Sequence, residues 1–355
     1  LGIKLFMVKD PKSGYPHDPR LFTGDPALLY EIFKKVAACN AVVSVHPTNQ
    51  DLFYANSVRC WETGNTTPMD FPEAYFGKDF IGDDSSTSTI LILAASAGCH
   101  LHVLHLRSDN AIRMCLDSKK AGNHVTLESN PKWFFLDESD LKRLGPLAQP
   151  CGLSKEQTAV LWGHVAGGSI DVLGTDHAPH TLEEIEPGWK NAWEIPFGNP
   201  QLDDYVPLLL TRVNEGTLTL DRFVTLCSEN PAKVMGVYPR KGVLRLGSDA
   251  DFTIVDMKRE RVLKNEDTKT RVGWTPYAGR KVKGVPVMTV VRGKVVMRDG
   301  EITGKLGDGQ HITSSNHEFL VPFYFTQKYS IVILMVKNET GVFRGARFKQ
   351  KHVYR

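Results

Sequence analysis

The sequence predicts an α/β fold of the incomplete TIM-type (β/α)8 barrel class, followed by a small C-terminal β-sandwich portion. Three observations point there. Short apolar runs alternate with helix-like stretches over the first two thirds of the chain, the pattern of parallel strands joined by crossover helices. Ionisable residues stand at the carboxyl ends of those strands, where barrels build their sites. After Asn230-Pro231 the texture changes to short β segments punctuated by glycine.

Strands are expected at 3–7, 41–45, 102–105, 124–128 and 170–174, with helices at 26–39, 87–97, 110–121, 155–166 and 203–214 between them. An open doubly wound sheet would gather its chemistry at one switch point. Here Lys4, His46, His105 and Asp176 end four separate strands, which favours the barrel. Five strand-helix units can be counted, where a closed barrel has eight. Leu1 replaces an initiator Met, and GIKLFM already reads as a strand under way, so the expectation is a chain that starts inside a longer protein, on the fourth of eight strands. The divisions follow as 1–235 for the partial barrel, 236–313 for the sandwich portion, with β segments at 242–246, 252–255, 287–292 and 294–297, and 314–355 for an atypical aromatic and basic tail.

Composition excludes several classes. With 355 residues and 41% hydrophobic residues the chain can bury a sizeable core. Six cysteines, none in a CxxC pair, fit neither a disulfide scaffold nor a cysteine zinc module and point to a reducing, cytoplasmic setting. No apolar run reaches the roughly 20 residues that span a bilayer. Net charge is +3, but residues 314–355 hold seven Lys/Arg and two Asp/Glu, leaving the rest slightly acidic. A nucleic-acid-binding face is therefore not expected, and the basic end reads as a solvated tail.

The densest local signal is Gly174-Thr175-Asp176-His177-Ala178-Pro179-His180, directly after an apolar strand. A lone strand-end aspartate most simply caps a turn; two histidines within four residues of it argue for chemistry. In His102-Val103-Leu104-His105 the odd separation sends the histidines to opposite faces. His105, nearer the strand end, is the candidate, and His102 is expected to be packed or hydrogen-bonded. Ser44-Val45-His46-Pro47 repeats the arrangement. Lys4, inside an apolar strand, would pay a large desolvation cost as an unpaired ammonium. Cys99, Cys115 and Trp274 read as packing residues.

Together these segments resemble the cyclic amidohydrolases of the amidohydrolase superfamily, the group of dihydroorotase, allantoinase and hydantoinase (dihydropyrimidinase). The resemblance rests on GIKLFM, SVHPTN, HVLHLRS, GTDHAPH and ENPAKVMGVYPRKGVLRLGSDADFTIVD, and it covers residues 1 to about 312. It implies that Lys4 is carboxylated and bridges two divalent metal ions, usually Zn2+. It further implies that His46 and His105 hold one ion, that Asp176 holds the other and handles the proton, and that His180 and Gly198 lie at the substrate. The implied reaction opens a cyclic amide or ureide by hydrolysis, with dihydroorotate, of pyrimidine biosynthesis, ahead of allantoin and hydantoins. A small-molecule substrate and a homo-oligomer, dimer or tetramer, follow by analogy.

Two departures stand against the pattern. The His-x-His pair that in this group supplies two ligands to the ion Asp176 also holds has no counterpart upstream of Lys4, and His100-Leu101-His102 falls on a different strand. Ser129-Asn130-Pro131-Lys132-Trp133 replaces a cysteine- or threonine-proline-histidine. A rival reading from another class is a catalytically dead scaffold relative, which would have no use for four inward polar residues.

Overall fold

In the computed structural model, residues 2–9 and 19–312 are described, with the backbone of two further short strands at Met335–Lys337 and Phe343–Gly345. The tail 314–355 otherwise lies outside the described residues. The chain runs β1 (Gly2–Phe6), α1 (Pro26–Ala38), β2 (Val42–His46), α2 (Gln50–Thr63), α3 (Phe71–Phe76), α4 (Ile81–Ala97), β3 (His100–Val103), α5 (Asp109–Lys120) and β4 (Val125–Ser129). It continues through α6 (Lys132–Phe135), α7 (Glu138–Leu144), α8 (Lys155–Gly167), β5 (Val172–Leu173), α9 (Leu182–Ile185), α10 (Tyr205–Asn214), α11 (Leu220–Val224) and α12 (Asn230–Val234). The C-terminal strands are β6 (Phe252–Val262), β7 (Lys281–Val291), β8 (Lys294–Arg298), β9 (Glu301–Ile302), β10 (Met335–Lys337) and β11 (Phe343–Gly345).

β1 to β5 form one parallel sheet in chain order. This is the expected arc of barrel strands, and among the described residues no pairing closes it. Its two faces differ sharply. Leu5, Val43, Val45, Leu101, Val103, Val125, Leu127 and Leu173 share one core with the helices. On the other face the register aligns Lys4 with Ser44, Ser44 with His102 and His102 with Thr126, a polar layer across four strands. Period-two alternation sends the polar members inward to the site and the apolar members outward to the helices.

Local chemistry explains the helix limits. Asp25 caps α1 by accepting from the Ala27 N–H, with Pro26 in the first turn, and Leu29, Phe33 and Val36 form its buried stripe. Asn49 caps α2, Ser108 caps α5, and Ser154 with Gln157 forms a capping box on α8. Helix α4 begins at Ile81, six residues before its expected start. The expected strand 102–105 lies two residues earlier, because His105 already turns with φ +42°.

The C-terminal unit is a single sheet, ordered β11-β10-β6-β7-β8-β9, antiparallel except for β10 against β6. The expected strand at 242–246 is a run of bends. Gly242 takes φ +81° so tightly against α12 that a Cβ would stand 2.6 Å from that of Ala232. The sheet docks on the barrel part through α10, where Thr211 accepts from the Lys283 N–H. Tyr277 donates to Gln201, and Arg280 pairs with Asp140. No helix among the described residues is long and apolar enough to cross a membrane.

Candidate active site

The site lies at the carboxyl ends of β1 to β5, and three loops there are sewn together. The Ser129 hydroxyl donates to the Leu106 carbonyl, Leu106 N–H donates to the Glu128 carbonyl, and Asn130 Nδ2 donates to the Thr175 carbonyl. The ends of β3, β4 and β5 are thereby fixed relative to one another. Gly174 contributes by having no side chain, since a Cβ there would stand 2.5 Å from the Glu128 carboxylate.

His46 and His105 meet. Nδ1 of His46 lies 2.8 Å from Nε2 of His105, with the rings edge to face. On the far side of His46, Nε2 lies 2.8 Å from the Tyr75 hydroxyl. Burial holds both imidazoles well below their usual pKa. His105 and Lys4 reinforce this for His46, as Lys4 and Arg107 do for His105. Both rings are therefore neutral, the form that donates a lone pair to a metal ion.

Solvent reaches Lys4, whose amine sits 4.6 Å above the centre of the Phe6 ring. The protein packed around that amine still pushes its pKa below the ordinary lysine value, with Asp176 and Glu128 pulling the other way. Asp176 leaves its strand with φ +48° and keeps a side chain 45% exposed. Burial would raise its pKa, but Lys132, His46 and Lys4 outweigh that and hold it below the usual carboxylate value.

The candidates His46, His105, Lys4 and Asp176 thus act on one another at one end of the sheet. His102 stays out of the group, as expected. It is fully buried, with Nδ1 2.9 Å from the Thr126 hydroxyl and Nε2 3.4 Å from Glu128. The alternation argument did not produce that outcome, since β3 ends before His105. His180 closes the same loop as Asp176. Its carbonyl accepts from Trp274 Nε1 at 2.8 Å, and its ring Nε2 is buried without a protein partner. Gly198 has φ +152°, and a Cβ there would stand 2.3 Å from the Ala178 carbonyl oxygen, so it lets two site loops touch.

Sequence reasoning missed Tyr75, Glu128, Asn130 and the role of Lys132. Lys132 is 3% exposed and its ammonium lies 2.9 Å from Asp176 Oδ2. A lysine set in the apolar run KWFF was the available signal. It also missed the buried pair of Arg107 with Asp83, in which Arg107 lies over the Phe76 and Trp133 rings.

A donor set can be tested from these atoms. Two neutral, buried imidazoles whose nitrogens face each other at 2.8 Å are donors of the kind that hold one divalent ion. Among the described residues no three His, Cys, Asp or Glu side chains converge on one point. The His46 and His105 pair therefore fits an ion; Asp176, engaged by Lys132, does not complete a second set.

An arc of parallel strands carrying imidazoles, an amine and a carboxylate at its carboxyl end defines a barrel-type scaffold. Residues 12–296 match the amidohydrolase family, and the chain belongs to it. An L-hydantoinase from Paenarthrobacter aurescens is 34% identical over 293 residues, covering 82% of this chain and 63% of that protein. A dihydroorotase from Pyrococcus furiosus is 40% identical over 206 residues, 58% of this chain and 46% of its own length. The solved L-hydantoinase (dihydropyrimidinase) from Arthrobacter aurescens superposes with a TM-score of 0.79 at 32% identity, covering 85% of this chain and 66% of that one. The chain spans less than two thirds of the length of these relatives.

Proposed function

We propose that this chain carries the metal-binding part of a hydrolase that opens cyclic amide rings. The observation supporting it is the convergence of His46 Nδ1 and His105 Nε2 beside the Lys4 amine and the Asp176 carboxylate. His46 and His105 offer lone pairs. Lys4, in its neutral form, adds CO2 through a new N–C bond with loss of a proton and offers the resulting carboxylate as a third donor. A bound divalent ion, zinc in this reading, would polarise the amide carbonyl and lower the pKa of an attacking water. Asp176, held ionised, takes the proton that this water gives up and returns it to the ring nitrogen as the C–N bond breaks. His180 Nε2, without a protein partner, hydrogen-bonds the substrate.

Dihydroorotate, opened to N-carbamoyl-aspartate or formed from it, is the substrate favoured by the TDHAPH segment. A hydantoin is the second reading, favoured by the hydantoinase structures on which the chain superposes. A cytoplasmic homo-oligomer belongs to the same proposal. The test is ring opening of dihydroorotate, a 5-substituted hydantoin and allantoin, followed by ultraviolet absorbance or by release of the carbamoyl product, in Zn2+ and bicarbonate. Activity that vanishes in His105→Asn supports the proposal. A zinc-loaded chain inert on all three rings, also when joined to an upstream His-x-His segment, removes it in favour of a scaffold role.

A further inference from the structure

Asp176 already has a cation, and it is part of the chain. The Lys132 ammonium lies 2.9 Å from Asp176 Oδ2 and 5.0 Å from the centre of the Trp133 ring. It emerges from a segment with little freedom. Asn130, fully buried, accepts the Lys132 N–H through its side-chain oxygen at 3.0 Å and donates to the Thr175 carbonyl at 2.8 Å. One asparagine thus ties the backbone before Asp176 to the backbone of Lys132, so the ion pair is held at both ends. Trp133, itself buried, is shared between Lys132 and Arg107. A lysine nearly sealed from water is retained only with a counter-charge in place, and Asp176 is the carboxylate in contact with it.

We propose that Lys132 stands where a second divalent ion would balance Asp176. In this proposal it is a positioning residue that holds the carboxylate by one oxygen, so that the chain binds a single ion on His46 and His105. This rests on the metal-site reading above and departs from the two-ion site that the sequence resemblance implies. An ammonium seated on Oδ2 competes with a divalent ion for the Asp176 carboxylate, because it takes up one oxygen and already balances the negative charge. The ammonium is fixed by covalent attachment, whereas an ion would have to displace it against Coulomb repulsion.

The test is uptake of Co2+ by the whole chain in bicarbonate buffer, read by equilibrium dialysis with metal analysis and by the visible Co2+ spectrum. Expected are one ion per chain in the wild type, lost at least tenfold in affinity in His105→Asn, and unchanged within about threefold in Asp176→Asn. Lys132→Met frees the carboxylate and raises uptake above one ion, with a changed spectrum. The double variant Lys132→Met/Asp176→Asn returns to one ion and the wild-type spectrum, and Lys132→Arg, which keeps the cation, stays at one. Two ions in the wild type, a tenfold loss in Asp176→Asn, or wild-type behaviour in folded Lys132→Met overturns the inference while leaving the metal site standing. Should Lys132→Met fail to fold, the wild-type stoichiometry and Asp176→Asn decide alone. If the wild type binds no ion that His105→Asn weakens, the metal-site reading fails and takes this inference with it.

Discussion

The Tyr75 hydroxyl stands 2.8 Å from Nε2 of His46, across the ring from the nitrogen that faces His105. If Nδ1 offers its lone pair to an ion, as proposed above, Nε2 carries the hydrogen and the tyrosine oxygen accepts it, an arrangement that would hold both the tautomer and the ring plane. Tyr75→Phe should keep the fold, because the ring packs against Phe53, Phe71 and Phe76 without using its hydroxyl. Co2+ affinity should fall about tenfold, measured by titration of the absorbance.

Gly198→Ala should be costly at a single methyl group. The new Cβ would stand 2.3 Å from the Ala178 carbonyl oxygen, at a φ of +152° that side chains rarely adopt. A loss of about 1–3 kcal/mol is expected from the backbone alone, read as the urea midpoint. Ring-opening activity should fall further than stability does, since the displaced segment carries Asp176 and His180.

Arg107 and Asp83 form an almost sealed ion pair at 2.7 Å. Burial raises the Asp83 pKa to about 6 despite its partner. Removing one charge strands the other, so Arg107→Met should cost about 3–5 kcal/mol. Arg107→Met combined with Asp83→Leu should recover a substantial part of that loss. A double variant no more stable than the single one would show that packing over Phe76 and Trp133, and not charge pairing, dominates there.

His100 stacks on His124 with ring centres 4.5 Å apart, and burial with that neighbour lowers its pKa to about 4. The unfolded chain protonates this imidazole near 6.5, so between about pH 4 and 6.5 the unfolded state binds more protons than the folded state. Stability therefore rises with pH through that window, and is lost as pH falls from 6.5 towards 4. His100→Gln should flatten part of the fall in the urea midpoint between pH 7.5 and 5. His46 and His105, depressed in the same direction, keep the remainder.

Much of this architecture could be read directly. Histidine at the end of an apolar strand is conspicuous, and so was Lys4 within one; hence His46, His105 and the lysine strand were legible. Tyr75 was not, because its contact with His46 spans 29 positions and depends on how α3 packs against α2 and α4. Lys132 was visible as an oddity, but its partner lies 44 positions away on another loop. Strands β6 and β7 run to 11 residues each, longer than expected, because exposed Lys258, Arg259 and Glu260 and a register shift break their alternation. The bends at 242–246 were misread because Val243, Leu244 and Leu246 have strand-like composition, while the Gly242 backbone turns the chain away.

His105 and Asp176 both leave the sheet through left-handed backbone, at φ +42° and +48°. Among residues with a Cβ, asparagine, aspartate and histidine visit that region most readily. Neutral drift at these two positions is consequently narrow, and a lineage relieved of selection for chemistry would pass through Asn or Gly long before Val or Ile. Part of what keeps an imidazole and a carboxylate at these positions is therefore the shape of the peptide chain itself, whatever the site does.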